Sequence, residues 1–252
     1  MSQLAGALFP LLYAINGGTP AVDLQFAVDA DGACRVDVLT GYSLAQTSPT
    51  RLGTFSGRLP ADVLAALREW AGSAPVLAQG EARVPGSVSR FVGRGGATPR
   101  PVGGEAPVAL DISLADLASA ALESPVSAIE VRGEGVGTGA GAPRLVILGI
   151  GKEAFPLLLF APDIAGYWPR VRLEDPRSPG GGVFVPYEEF EALVAKGSLK
   201  EGIIELAPGE RLFLPLPAAS GDGPIGGSFI FWRAGTGAER RILSGSWSLV
   251  GP

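Results

Sequence analysis

The chain has 252 residues, 46% of them hydrophobic and only 18% charged, with a formal net charge of −5. The acidic balance excludes a broad nucleic-acid-binding face, which needs concentrated basic charge, while the length suffices for one large or two modest domains with a real core. Histidine is absent, and this removes Ser-His-Asp and Cys-His catalysis, histidine proton shuttles and histidine metal ligands together.

Residues 4–15 (LAGALFPLLYAI) have the length of a signal-peptide core, but no Lys or Arg precedes them and Pro10 interrupts them. They read as a buried N-terminal segment, or as one that docks on a partner. No apolar run reaches the roughly 18 residues that a membrane span requires. The single cysteine, Cys34, cannot form an internal disulfide, so the chain shows no oxidising-compartment signature and is expected in the cytoplasm. Cys34 itself is expected as a small buried residue.

Val22, Leu24, Phe26 and Val28 alternate with Asp23, Gln25 and Ala27, which is strand periodicity with one buried face. Asp29-Ala30-Asp31-Gly32 then reads as a turn, and residues 34–39 as the second strand of a hairpin. Asp-x-Asp-Gly also opens calcium loops, but the later acidic ligands and the terminal glutamate are missing. Pro60 suits the first turn of a helix over 61–70, with Val63, Leu64, Leu67 and Trp70 on one face. Residues 80–107 are rich in Gly, Pro and Arg and read as a linker or long loop.

A helix is predicted over 111–123, with Ser113 as its N-cap. Strands follow at 128–132, 144–150, 154–161, 182–185, 202–206, 211–216, 228–232 and 241–250, separated by Gly/Pro/Asp turns. One helix over 186–196, closed by Gly197, interrupts them. Within 203–216, Pro208-Gly209 is turn chemistry between a strand and a core strand apolar on both sides. The predicted fold is therefore mainly β with a few short helices, in the α+β class. Residues 1–79 form a smaller α+β region of hairpin plus helix, 80–107 the linker, and 108–252 an antiparallel, sandwich-like domain.

The motifs that suggest chemistry are incomplete. In residues 132–143 no register places glycine at the first, third and sixth positions of a dinucleotide loop, and a strand follows in place of a helix. Gly151-Lys152-Glu153 lacks the earlier glycine and the Ser/Thr of a phosphate loop. Gly41-Tyr42-Ser43-Leu44-Ala45 is one residue from a nucleophile elbow without a base to serve it. Glu188, Glu189 and Glu191 cluster at a helix start, where the dipole favours them. No catalytic, cofactor-binding or metal-binding set is expected.

Tyr167 and Trp168, before Pro169 on an expected loop, are the candidate binding residues, because loop aromatics commonly serve recognition. The functional expectation is a non-catalytic protein-binding module, or a structural subunit of a larger assembly. Its partner would be another protein or a second copy, with no nucleic acid. The alternative is a carboxylate-dependent, carbohydrate-active enzyme working without histidine.

Overall fold

The computed structural model describes residues 9–17, 22–44, 46, 48–77, 88–103, 108–135, 143–159, 169–174, 182–196, 203–217, 226–235 and 240–250. It is mostly β, with few short helices. Two compact units emerge, the first from Met1–Val38 with Thr54–Pro125 and the second from Leu39–Gly53 with Val126–Pro252. The grouping is interleaved, since the chain changes unit inside one strand, β4 (Thr50–Arg58).

In the first unit β1 (Leu11–Gly17) pairs antiparallel with β2 (Val22–Val28) on one side and with β5 (Val88–Gly93) on the other. The sheet extends from β2 to β3 (Ala33–Val38) and the last residues of β4, and from β5 to β6 (Arg100–Val102). The alternation expected of β2 is seen on β1 to β3, where Leu11, Tyr13, Ile15, Leu24, Phe26, Val28, Val36 and Val38 are buried. Helix α1 (Ala61–Ser73) buries Leu64, Leu67 and Ala71, and α2 (Val108–Ala121) buries Leu110, Leu114, Ala118 and Ala121. The two helices pack on each other, and α2 packs on β3.

The β2–β3 turn matches its sequence. Gly32 has φ +87, and the Asp29 N–H bonds the Ala33 carbonyl at 2.8 Å. Two details of this unit differ from expectation. The stretch expected as a linker or long loop supplies β5 and β6, because β1 offers β5 a free edge and a partner for six residues. Helix α2 begins at Val108, so Ser113 lies within it and its hydroxyl donates to the Ala109 carbonyl at 2.9 Å instead of capping the start.

The second unit contains β7 (Pro125–Glu134), β8 (Arg144–Gly151), β9 (Phe155–Leu158), β10 (Arg170–Glu174), β11 (Gly182–Phe184), α3 (Tyr187–Lys196), β12 (Ile203–Leu206), β13 (Arg211–Pro215), β14 (Gly226–Ala234) and β15 (Arg240–Val250). Among the described residues the strand order β11-β10-β14-β15-β7 is open at β11. Pairing is mixed, because β15 runs parallel to β7 at Leu249 and Val250 while the neighbours of β14 are antiparallel to it.

The Pro208-Gly209 turn forms as its chemistry requires, with φ +83 at Gly209 and the Glu210 N–H bonded to the Ala207 carbonyl at 3.0 Å. It is not the tip of a hairpin. β12 pairs with β9 and β13 with β8, so the turn bends one long two-stranded ribbon. Gly149 meets the bend, accepting from Gly209 N–H and donating to the Glu210 carbonyl, both at 2.9 Å. A Cβ there would lie 2.3 Å from the Ala207 carbonyl oxygen, so the close approach demands glycine. The core-strand expectation for 211–216 holds on one face only. Leu214 is buried, whereas Phe213 points to the other face and is 39% exposed.

Candidate functional site: a charged sheet face and an open strand edge

Residues directly opposite in an antiparallel pair lie on the same face. β7 and β8 align Glu130 with Leu148, Arg132 with Val146, and Glu134 with Arg144. β8 and β13 continue those rows to Arg211, Phe213 and Pro215. One face of this ribbon is thus a grid whose rows read Glu130-Leu148-Arg211, Arg132-Val146-Phe213 and Glu134-Arg144-Pro215. The opposite face is core, with Ile129, Val131, Leu145, Ile147 and Leu214 fully buried.

The charges on the grid are knitted together. Arg51, reaching in from β4, donates from Nε to Glu130 Oε2 at 3.2 Å, and Arg132 Nη1 donates to Glu130 Oε1 at 3.3 Å. Arg132 Nη2 reaches Glu134 Oε1 at 3.1 Å, while Arg144 places Nε at 3.1 Å and Nη2 at 2.8 Å from Glu134 Oε2. Arg144 also lies 4.3 Å from the Phe213 ring centroid, a cation–π contact. The Arg144 hydrogen bond, reinforced by Arg132, holds the Glu134 carboxyl below the usual carboxylate range against the opposing effect of burial. Glu134 is therefore a fixed anion that orients guanidinium groups, the reverse of a proton donor, whose pKa must be raised.

The second feature is the edge. All three residues of β11 are exposed, with Val183 at 58% and Phe184 at 54% on opposite faces of the strand. β10 pairs one side of β11, and no strand among the described residues pairs the other. On the Phe184 face, Arg172 lies beside Phe184 and Ser228, Arg170 beside Ile230, Ile230 beside Ser244, and Trp232 beside Ile242. Ile230 and Ile242 are exposed, so apolar groups continue from the edge across the sheet.

The first unit holds a different polar group. The Tyr13 hydroxyl donates to Asp111 Oδ1 at 3.1 Å, and Arg90 Nη2 pairs with Asp111 Oδ2. Trp70 meets the Tyr13 ring edge-on, with centroids 5.5 Å apart. Burial, then the Asp111 charge, pushes the Tyr13 pKa up, so the phenol remains a neutral donor. The group ties β1, β5 and α2 together.

The sequence motifs resolve into structural roles. Asp31 is held below its ordinary range first by the Ala33 N–H and then by Arg58, which is turn stabilisation. The Lys152 and Glu153 N–H groups both donate to the Val126 carbonyl, which closes a turn. Gly41-Tyr42-Ser43-Leu44 is a 3-10 turn beside Thr40, whose Oγ1 accepts from Ser244 Oγ at 3.1 Å. Glu188 and Glu189 occupy the first turn of α3. Cys34 is buried, and burial pushes its thiol up to about 11. Tyr167 and Trp168 lie outside the described residues.

Sequence reading passed over Glu130, Arg132, Glu134 and Arg144. The available signal was the alternation Glu130-Val131-Arg132-Gly133-Glu134, which puts every charge on one face of a strand. Among the described residues no cluster of acids, cysteines or histidines could hold a metal ion. No helix there is long and apolar enough to cross a membrane. Comparison with protein-family models, with curated proteins and with solved structures finds no match for this chain.

Proposed function

We propose that this chain is a non-catalytic protein-binding module or structural subunit, and that β11 is part of its contact surface. The carrying observation is an edge strand whose apolar side chains are exposed on both faces. An unpaired strand edge presents N–H and C=O groups ready to accept another strand. A strand added beside β11 would cover Val183 on one face and Phe184 on the other, gaining about 1 kcal/mol from each. The ribbon bend at Gly149 and Gly209 supports a sandwich-like arrangement of the second unit, since strands that turn together make such corners. Among the described residues the two carboxylates with clear shifts, Asp31 and Glu134, are displaced downward, which does not favour the carboxylate-enzyme reading.

Light scattering across a dilution series tests the proposal, using the wild-type chain beside Val183→Lys and Phe184→Asp. The expected result is an assembly, of the chain with itself or with a stoichiometric copurifying protein, that either substitution dissociates while circular dichroism is unchanged. An assembly indifferent to both substitutions would overturn it, as would a monomer with no stoichiometric partner.

A further inference from the structure

We infer that the face formed by β7, β8 and β13 binds an acidic polypeptide segment carrying an apolar side chain between its carboxylates. This surface is separate from the β11 edge, and its test does not depend on that edge.

The face carries Arg51, Arg132, Arg144 and Arg211 against Glu130 and Glu134, in a chain whose net charge is −5. A cationic face on an anionic protein steers anionic partners and turns the rest of the molecule away from them.

Geometry then selects among the four arginines. Arg51 and Arg132 are committed to Glu130, whose residue is only 8% exposed. Arg144 is anchored through Nε and Nη2 on Glu134 and lies against Phe213, and Nη1 of its half-exposed guanidinium has no hydrogen bond among the described residues. Arg211 is exposed and makes no ion pair among the described residues. The two available donors therefore stand two rows apart on adjacent strands, with the exposed Phe213 in the row between them.

Same-face neighbours along a strand are about 7 Å apart. That is also the spacing of alternate side chains in an extended peptide, so carboxylates flanking an apolar residue match Arg211 and Arg144 with the apolar group on Phe213. Guanidinium groups suit this role because each donates to a carboxylate in a fixed fork. Glu134 makes Arg144 pre-organised, so less side-chain freedom is lost on binding.

The test is fluorescence anisotropy of the purified full chain with a short labelled polyglutamate peptide and with the same peptide bearing one central leucine. Saturable binding at low salt is expected, tighter for the leucine peptide and weakened at least tenfold between about 0.05 and 0.3 M salt as the charges are screened. Arg211→Gln, which removes no described contact, should weaken binding about fivefold, and Phe213→Ala should erase the preference for leucine. Val183→Lys at the β11 edge should leave binding unchanged. No saturable binding at low salt would overturn the inference, as would binding unaltered by Arg211→Gln. Equal binding of a single-stranded oligonucleotide of the same charge would also overturn it, since the face would then select charge alone.

Discussion

Two ion-pair groups in this protein use the same chemistry in different surroundings. Tyr13, Asp111 and Arg90 come from β1, α2 and β5, and Tyr13 is almost fully buried. Glu130, Arg132, Glu134 and Arg144 come from two adjacent strands and lie along a face with half-exposed guanidinium groups. In the first group the ionic contact joins three elements, so a lost partner loosens them from one another. In the second, hydrogen-bonded strands already hold the elements, and water reaches Glu134 and Arg144 though hardly Glu130. The comparison teaches that the effect of removing a charge depends on what else fixes its partner, more than on the length of the bond.

Substitutions should rank accordingly when unfolding is followed in urea. Asp111→Ala leaves Arg90 without its anion and the buried Tyr13 without its acceptor, and it should destabilise by about 2–3 kcal/mol, from breaking a part-buried pair and leaving a buried hydroxyl unsatisfied. A loss no larger than that of a surface pair would break the comparison. Glu130→Gln keeps the shape but turns one of the two accepting oxygens into an NH2 donor facing a guanidinium, and it removes the charge that Arg51 and Arg132 share; a loss of about 1–2 kcal/mol is expected.

Glu134→Gln should cost less, about 0.5–1 kcal/mol, because its arginine partners remain solvated. Its pH dependence sharpens the point. The folded Glu134 pKa is lowered, so its contribution is present above the unfolded value of about 4.3 and is lost as pH falls through the folded value. The difference in stability between wild type and Glu134→Gln should be constant near neutral pH and vanish in acid. A difference that grows on acidification would contradict the assignment. Arg211→Gln should change stability by less than about 0.5 kcal/mol, as surface substitutions do. A larger loss would show that Arg211 is a structural residue.

How legible this protein was depended on how local the information was. The β2–β3 hairpin could be read because an alternating run, an Asp/Gly turn and a second apolar run all agree within 17 residues. α1 and α3 could be read because a proline precedes each apolar helical face. β5 and β6 could not, because their Gly, Pro and Arg content has no strand signal of its own and their order comes from pairing with β1. β10 was missed for a different reason, since Arg170-Val171-Arg172-Leu173-Glu174 alternates charged and apolar residues but is only five residues long, and pairing with β11 and β14 completes it.

The grid was half visible. Alternating charges on β7 announce a polar face, but nothing near them in the chain announces Arg51, Phe213 or Arg211. Likewise, the absence of histidine and the acidic balance narrowed the chemistry before any fold was known, whereas the open edge at β11 is a property of strand order alone.

Settled locally were some conformations: the β2–β3 hairpin, the helix starts after Pro60 and Pro186, and the turn at residues 207–210. Proline fixes φ and glycine admits positive φ without reference to the rest of the chain, and side-chain periodicity assigns faces in the same way. What only the tertiary structure decided was partnership. Whether the Pro208-Gly209 turn closed a hairpin or bent a ribbon, and which charges met on one face, depended on register. Register is selected by burial of the whole core, to which every strand contributes and which no single segment encodes.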